Sequence, residues 1–460
     1  MKSRIVIFLL LLISINVPAL CDEITMPPVT EKILPNGLEL LLVENHELPI
    51  AYMKMVVASG SMRDPGGKEG LAGFTANMLK RGTGSRTKNA IAEEIDFIGG
   101  KMKISVNRDA VEITVELLTR HMDVGISILS DMMLNPVFDS TEIEKYKKQV
   151  LNAIIQSKEN PYLVCSENFN KLLFGNHPYA HPVRGSKESV ERITRDDITV
   201  FYGDYIRPNN SFLIVAGDID PDVILPALET AFGSWKREEI PPLSITTPPV
   251  PDGRRILLID KPDATQSHIT FGTIGITRQS EYYYPFQVMN YVLGAGVSFV
   301  NRLMTEVRVK GGLTYDIRTT NDFNILPGGF YCSTSTENDS TLKAIEMALA
   351  VMKDMAENEV TDEEYNQAIG FYSGYYPISL ETPEQWADEI SKIKLYGLPD
   401  NYIKDFVKNI GAVKKEDILK VAGYLIDTDN MVFCVVTNAA DVKSDLEKLG
   451  RVTAVNLDDL

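Results

Sequence analysis

The sequence predicts an α+β protein of two homologous domains, each with a mixed, mainly antiparallel sheet that helices cover on one face. Two observations predict this fold class. A proline-rich segment at residues 239–253 divides the 460-residue chain into halves of about equal length. The same order of strand and helix patterns then recurs in both halves, which is typical of internal duplication. We therefore assign a first domain to residues 29–238, a linker to 239–253 and a second domain to 254–460.

Strand patterns recur in corresponding positions of the two halves. Short apolar runs favour strands, and they cover residues 38–44, 51–58 and 212–216 in the first half and residues 268–274 and 431–436 in the second. A glycine pair also begins a strand pair in each half, at residues 99–118 and 311–335. Each half is therefore expected to build its own sheet.

Amphipathic helices follow the glycine-rich strand pair in each half. Apolar residues recur there at helical spacing, namely Met122, Ile126, Leu129 and Met133 in the first half and Leu342, Ile345, Leu349 and Met352 in the second. A capping box then begins a long helix in each half, formed by Asp139 with Glu142 and by Thr361 with Glu364. The methionine-rich faces are expected to pack in the two cores.

The N-terminus is predicted to be a signal peptide covering residues 1–21. Lys2 and Arg4 precede an apolar run at residues 5–15, which is too short to span a bilayer of about 30 Å. A lipoprotein anchor on Cys21 is the alternative, but bulky Leu20 stands where a small residue is expected. Because no later stretch is apolar enough for a membrane helix, we expect an exported protein that is periplasmic or secreted.

The charge of the chain argues against nucleic acid as a partner. The formal net charge is -17, from 63 acidic and 46 basic residues. Such a surface repels phosphate backbones, so nucleic acid is not an expected partner.

The cysteines are few and scattered. Beyond Cys21 the chain has Cys165, Cys332 and Cys434, with no C-x-x-C spacing. We expect them to be buried small hydrophobic residues, and a single disulfide among them is the alternative.

One segment of the first half carries a family resemblance. Residues 60–83 read GSMRDPGGKEGLAGFTANMLKRGT, which resembles the first helix of the pitrilysin and mitochondrial-processing-peptidase family of zinc peptidases (inverzincins). In that family an H-x-x-E-H motif supplies two zinc ligands on one helical face and a glutamate that acts as general base. The aligned positions here are Gly73, Ala76 and Asn77, and the position of the third ligand is Ala153. The resemblance thus implies a subunit of the type that binds no zinc.

Two further segments bear on substrate binding and on metal binding. The family's substrate-pairing strand follows the glycine pair, and here residues 101–104 are bulkier and charged, which weakens the expectation of substrate addition at that edge. Of the histidines, only His177 and His181 are close together, and the two prolines around them exclude a regular helix with i, i+4 geometry. The resemblance also implies that this histidine–proline–tyrosine loop binds no metal, so we expect no metal site in this chain.

The second half resembles the family's other signature. A glycine-rich turn at residues 293–298 leads to Arg308, and Tyr315 follows seven residues later. In the family this pair lies across a closed chamber from the zinc, where it binds the substrate backbone and stabilises the oxyanion. The alternative is that Arg308 is a solvated helix charge and Tyr315 a half-buried strand aromatic.

The resemblance implies a function that depends on a partner. Family members of this size pair into a four-domain clamshell, in which one chain contributes zinc and the other contributes the arginine–tyrosine pair. We therefore expect a noncatalytic subunit of an exported heterodimeric zinc metalloendopeptidase for short or unfolded peptides, with Arg308 and Tyr315 completing the site of an H-x-x-E-H partner. Zinc is expected only in that partner. A homodimeric peptide-binding or scaffolding clamshell without protease function is the alternative.

Overall fold

Each half of the chain builds a six-stranded sheet in the computed structural model, which describes residues 24–296 and 300–460. The predicted fold class of two α+β domains is thus confirmed. The predicted signal peptide at residues 1–21, together with Val297 and Ser298 of the predicted glycine-rich turn, lies outside the described residues. Within the described residues, no helix combines the length and apolar character that crossing a bilayer requires.

The first sheet is mixed, and a single neighbouring pair of its strands runs parallel. Its strands are β1 (Val29–Ile33), β2 (Glu39–Glu44), β3 (Ile50–Val57), β4 (Lys101–Val106), β5 (Val111–Leu118) and β6 (Ser211–Gly217). They lie in the order β1-β2-β6-β3-β5-β4, with β2 and β6 parallel and the other neighbours antiparallel. Strand β4 is therefore at one edge of the sheet.

Six of the eight helices described for the first half start at a side-chain cap. The eight are α1 (Leu71–Leu79), α2 (Lys88–Phe97), α3 (Met122–Leu134), α4 (Ser140–Ser157), α5 (Pro161–Phe174), α6 (Lys187–Arg192), α7 (Arg195–Tyr205) and α8 (Pro221–Phe232), and α1 and α3 do not start at such a cap. The Asp139 carboxylate accepts backbone N–H groups of Thr141 and Glu142, so the predicted start of α4 is confirmed. The hydrogen bonds of the described residues do not include the return bond to the Glu142 side chain, so the predicted capping box is only half formed.

The second sheet repeats the first. Its strands are β7 (Arg255–Asp260), β8 (Gln266–Ile274), β9 (Ile317–Phe323), β10 (Pro327–Glu337), β11 (Val432–Thr437) and β12 (Arg451–Asn456). Their order is β12-β7-β11-β8-β10-β9. The last five positions, which include the edge strands β4 and β9, match those of the first sheet in sequence order. The strand at the other edge comes from the N-terminal end in the first half and from the C-terminal end in the second. This shared order supports duplication.

The helices of the second half include two π-helical segments. The helices are α9 (Tyr283–Asn290), the π-helices Tyr291–Ala295 and Met304–Lys310, and then α10 (Thr341–Glu357), α11 (Asp362–Ile378), α12 (Pro383–Tyr396), α13 (Tyr402–Ala412), α14 (Lys415–Leu425) and α15 (Ala439–Leu446). Thr361 and Glu364 form the predicted capping box at the start of α11. The predicted turn at residues 293–298 is wrong in its first three residues, because the π-helix continues to Ala295.

The methionine-rich faces pack as predicted. On α3, Met122, Ile126, Leu129 and Met133 are at most 5% exposed and belong to the first core, and on α10 Ile345, Leu349 and Met352 belong to the second. Leu342 is only partly buried. Each fully buried aliphatic side chain stabilises the fold by about 1.5–3 kcal/mol relative to exposure, so these two helices are major contributors.

The two halves exchange one helix each, an arrangement that the sequence did not predict. Helix α5 of the first half packs across β8 and β11 of the second sheet, and α12 packs across β3 and β6 of the first. Lys54 on β3 is 5% exposed, and its ammonium lies 2.7 Å from an Asp388 carboxylate oxygen on α12 and 3.0 Å from one of Glu112. The halves therefore interlock and do not meet at a simple hinge.

The cysteines are free thiols in this fold. Cys165, Cys332 and Cys434 are all buried and unpaired, so the expectation of small buried hydrophobic residues is confirmed and the disulfide alternative is wrong. The Cys165 thiol on α5 donates to the Cys434 carbonyl oxygen on β11 at 3.1 Å. Burial raises the pKa of the Cys332 and Cys434 thiols, which keeps both sulfurs protonated and unreactive.

A buried polar junction also joins the halves around Tyr179. Its hydroxyl donates to the Asp109 carboxylate at 2.9 Å and accepts the Leu326 backbone N–H at 3.3 Å, while Asp109 also accepts the Ile325 N–H at 3.0 Å. Burial raises the pKa of Asp109 to about 6. The Arg108 guanidinium donates to the Tyr179 carbonyl oxygen. The loop after α5 is thus bonded to the hairpin between β9 and β10.

Candidate functional site

Helix α1 carries the positions aligned with the zinc motif, and a buried carboxylate fixes its start. Asp64 accepts the backbone N–H groups of Gly70 and Ala72, both at 2.7 Å, so it satisfies donors that the first helical turn leaves free. Burial raises the pKa of Asp64 to about 8, against the opposing effect of those two hydrogen bonds. Gly70 has φ +95°, and a Cβ there would lie 2.6 Å from the Arg184 carbonyl oxygen, so glycine is required.

The face of α1 aligned with the two histidines presents no metal ligand. Gly73 and Asn77 are half-buried and one turn apart, and the Asn77 amide donates to the Gly73 carbonyl oxygen at 2.9 Å. A Cβ on Gly73 would meet only the Val183 oxygen, at 3.5 Å, so the position has room for a side chain. Ala76, aligned with the general base, is 0% exposed within the core.

Helix α4 lies against α1, but its aligned position is also without a ligand. The Phe74 and Tyr146 rings of the two helices are 4.8 Å apart. Ala153 is seven residues after Tyr146, so the two share a side of α4, and Ala153 is exposed. Glycine, alanine and an amide bonded to its own helix do not fit the zinc chemistry of the family.

The histidines are engaged in local hydrogen bonds. His177 donates from Nε2 to the Thr246 carbonyl oxygen at 3.0 Å and accepts the Tyr179 N–H at Nδ1, and His181 contacts the Pro182 oxygen. Burial lowers the pKa of both imidazoles. Among the described residues, no three or more histidine, cysteine, aspartate or glutamate side chains are grouped so that they could hold a metal ion. This finding is compatible with the expectation of no zinc in this chain.

The structure brings Arg308 and Tyr315 together. The Arg308 guanidinium carbon lies 4.5 Å from the centre of the Tyr315 ring, within the range of a cation–π contact. Tyr315 is 82% exposed, and it lies in the loop before β9. The alternative of a half-buried strand aromatic is therefore wrong for Tyr315, while Arg308 is half-buried on its π-helix.

Three anchors fix this pair without burying it. Gly312 adopts φ +64°, which lets the chain turn back after the π-helix. The Thr314 hydroxyl bonds to the Ser335 carbonyl oxygen at 2.7 Å, so the residue before Tyr315 is tied to β10. At the start of the same helical segment, the Arg302 guanidinium makes two bonds to Glu364 on α11, at 2.7 and 2.8 Å. The segments that carry the pair are thus held in place while Tyr315 stays exposed.

A cleft of about 860 Å³ lies in front of the pair. Its walls come from α9, the two π-helices and β9, and they include Asn290, Gly294 and Asn301. At Gly294 a Cβ would come within 3.0 Å of the Thr319 backbone nitrogen, so this glycine permits close packing of the π-helix on β9. The cleft presents amide, guanidinium and hydroxyl donors, which suit the carbonyl groups of a peptide backbone.

Comparison with known proteins places both halves in one family. The profile described as "Insulinase (Peptidase family M16)" matches residues 40–187, and the profile described as "Peptidase M16 inactive domain" matches residues 192–370. The chain belongs to peptidase family M16. The recognition made from residues 60–83 and from Arg308 and Tyr315 is therefore confirmed at the level of the family.

Relatives of this M16 chain cover nearly all of its length. "Non-peptidase homolog YmxG" of Helicobacter pylori is 24% identical over 399 residues, which are 86% of this chain and 90% of that protein. "Uncharacterized zinc protease ML0855" of Mycobacterium leprae is 25% identical, over 86% of this chain and 88% of that protein. A relative named as a zinc protease and a relative named as a non-peptidase homologue are thus about equally distant from this chain.

Solved structures of the family share the fold. The "peptidase M16 inactive domain" from Pseudomonas fluorescens has a TM-score of 0.83 at 23% identity, covering 89% of this chain and 97% of that one. A protease from Helicobacter pylori has a TM-score of 0.84 at 17% identity, over 90% and 100% of the two chains. Together with the substituted positions on α1 and α4, the comparisons identify an inactive, peptidase-like protein of the M16 type.

The altered face of α1 also carries a lysine that sequence reasoning missed. Lys80 is seven residues after Gly73 and three after Asn77, so all three lie on one side of the M16 zinc-motif helix. Its side chain reaches a pocket of about 460 Å³ between the end of α1, helix α2 and the start of β4. The spacing of Lys80 from Gly73 was the signal in the sequence that could have revealed it.

Proposed function

We propose that this M16 chain is the noncatalytic subunit of an exported heterodimeric zinc metalloendopeptidase. It would supply Arg308 and Tyr315 to the active site of a homologous partner that carries H-x-x-E-H, and the substrates would be short or unfolded peptides. Export is proposed from the basic, then apolar, character of residues 1–21. In this assignment the zinc, and the activation of water that zinc provides, belong to the partner subunit.

The proposal is supported by a difference between the two halves: the first lacks the family's zinc ligands, whereas the second keeps the arginine–tyrosine pair. Helix α1 offers Gly73 and Asn77 where zinc ligands would stand, whereas Arg308 and Tyr315 are in contact, 4.5 Å from guanidinium carbon to ring centre. An aromatic ring that is 82% exposed contributes little burial energy to its own chain. The exposed Arg308–Tyr315 contact at a polar cleft is the single observation that carries the proposal.

The chemistry of the pair suits stabilisation of negative charge. A guanidinium presents five N–H donors in a fixed plane, and a phenol adds one O–H donor. Donors held in place before the reaction stabilise the carbonyl oxygen as it gains charge during acyl transfer. The guanidinium carbon of Arg308 lies 4.5 Å from the centre of the Tyr315 ring, and both side chains line the same cleft, so their donors could act on one substrate carbonyl oxygen.

The test is reconstitution with the zinc-bearing M16 partner of the same organism. The purified chain alone should cleave no quenched fluorescent peptide, and addition of the partner should produce zinc-dependent cleavage. In the complex, Arg308→Ala should lower kcat by about 100-fold, the typical effect of removing one preorganised donor, and Tyr315→Phe should also lower kcat. Full activity of a complex that carries both substitutions would refute the proposal.

Matched controls separate the site from general surface effects. Arg451 is exposed on β12 and Tyr424 is 63% exposed on α14, so Arg451→Ala and Tyr424→Phe should leave kcat of the complex unchanged. The alternative, a homodimeric clamshell without protease function, would give a dimer of this chain that binds peptide and never cleaves it with any M16 partner.

A further inference from the structure

The pocket at the end of α1 combines an apolar floor with excess positive charge. Ile91 and Ile95 of α2 are at most 4% exposed, and Met102 of β4 lies beside them. The basic residues Lys80, Arg81, Lys88 and Lys101 surround this floor, and Asp96 is the acidic residue among its described lining residues. An apolar group that carries a negative charge would match this lining.

Two of the basic groups are already neutralised by acids and two are not. Arg81 pairs with Glu142 at 3.5 Å, and Lys101 pairs with Glu116 at 3.1 Å. Among the described residues, the ammonium groups of Lys80 and Lys88 have no carboxylate within salt-bridge distance and no side-chain hydrogen bond. Burial lowers the pKa of Lys80, and the neighbouring charges of Arg81 and Lys88 lower it further. The lysine pair thus has no directly bonded acidic partner in a partly apolar pocket, although Glu142 acts on Lys88 from a greater distance.

The geometry of the sheet suggests how a ligand could reach the lysines. Strand β4 hydrogen-bonds to β5 on one side, and within the described residues no backbone hydrogen bond joins its other side. The pocket lies at the first residues of β4, Lys101 and Met102. The bulkier and charged side chains at residues 101–104 weaken pairing along β4 but do not block its outer backbone groups, so a peptide strand that pairs antiparallel with β4 would end, at its C-terminus, beside Lys80 and Lys88.

We propose that this pocket binds the C-terminal carboxylate of a peptide whose last residue is apolar. The lysine ammonium groups would receive the carboxylate, and Ile91, Ile95 and Met102 would receive the side chain. The face of α1 that in zinc peptidases serves the metal would thus serve as an anchor for peptide ends. This inference goes beyond the proposed role of Arg308 and Tyr315, because it concerns binding by this chain alone.

The experiment compares a fluorescent octapeptide ending in leucine with its C-terminal amide, by fluorescence polarisation on the purified full chain. The free acid should bind at least about tenfold more tightly, a difference of about 1.4 kcal/mol, because the amide offers the lysine ammonium groups no negative charge. Lys80→Gln together with Lys88→Gln should abolish that preference, and Lys80→Arg with Lys88→Arg should retain it. Lys148 is exposed on α4 and outside the pocket, so Lys148→Gln should bind like the unmodified chain.

Several results would overturn the inference. Equal affinity for acid and amide, no binding of either peptide, or a preference that survives Lys80→Gln with Lys88→Gln would each exclude the lysine pocket. Laurate that binds through the same lysines, with no peptide binding, would assign the pocket to fatty acids. Because no partner is present, these outcomes are independent of the kcat measurements on the complex, and Arg308→Ala should leave the carboxylate preference intact.

Discussion

Tyr179→Phe tests whether the polar junction between the halves stabilises the interlocked fold. The substitution removes one oxygen atom from a residue that is 0% exposed, so water does not replace it. Asp109 loses its hydrogen bond of 2.9 Å, and the Leu326 N–H loses its acceptor at 3.3 Å. A hydrogen bond to a charged group contributes about 1.5–3 kcal/mol and an orphaned N–H costs about 1 kcal/mol or more. We therefore expect Tyr179→Phe to lower the free energy of unfolding by about 2–4 kcal/mol.

The assay is urea unfolding of the full chain at pH 7, followed by tryptophan fluorescence and by circular dichroism. Tyr179 lowers the pKa of Asp109, which burial raises to about 6. A carboxyl with a raised folded-state pKa contributes stability that is complete below its unfolded pKa and is lost as pH rises through the folded value. The variant should thus lose stability more steeply than the unmodified protein between about pH 5 and pH 7.

Two controls make the result specific. Tyr365→Phe removes a hydroxyl that bonds within the second half, to the Val413 oxygen at 2.7 Å, and Tyr315→Phe changes an exposed ring. Tyr365→Phe should lower the free energy of unfolding by about 1 kcal/mol, and Tyr315→Phe should leave it unchanged. A loss below about 0.5 kcal/mol for Tyr179→Phe, or full additivity with Asp109→Asn in a double-mutant cycle, would refute the reasoning.

Two further predictions concern buried groups. Burial raises the pKa of Asp64 to about 8, so the stability that protonated Asp64 contributes is lost as the pH rises. Between about pH 5 and pH 8, the unmodified protein should therefore lose free energy of unfolding relative to the Asp64→Asn variant. Urea midpoints of the two proteins that run parallel across this range would contradict the prediction. The three described thiols should not react with Ellman's reagent until the protein unfolds, because Cys165, Cys332 and Cys434 are buried. Rapid release of one equivalent from the native protein would contradict the burial of that thiol.

The sequence predicted the duplicated α+β fold because periodic apolar patterns survive in both halves. It missed β1, β7 and β12, and the exposed residues of β1 and β12 explain two of these omissions, since an edge strand with little burial has no strong apolar alternation. It also missed the exchange of α5 and α12. Periodicity shows that a helix has a buried face, but it does not show which sheet covers that face. The exact boundaries at residues 238 and 254 remain predictions.

The sequence predicted only those residues of the candidate site that belong to a motif with fixed spacing. Gly73, Asn77 and Ala153 were found by alignment to a known pattern, and the seven-residue spacing identified Arg308 with Tyr315. The pocket around Lys80 was not found, because it requires α2 and β4 to come together with the end of α1. Contacts between residues distant in sequence are set by tertiary packing, and a motif of 24 residues at positions 60–83 holds no information about them.

The stability of the fold explains why helix α1 is kept, but it does not explain the Arg308–Tyr315 contact. Glycine inside a helix costs about 1 kcal/mol relative to alanine, yet α1 persists at Gly73 because its opposite face buries Phe74 and Met78. Gly73 and Asn77 are therefore compatible with a well-packed helix. Tyr315 is the reverse case: it is 82% exposed, and it is held over Arg308 by a tethered loop although the fold gains little from the contact. The exposed aromatic–guanidinium pair is therefore an argument for the proposed role of this chain, a subunit that completes the site of a catalytic partner.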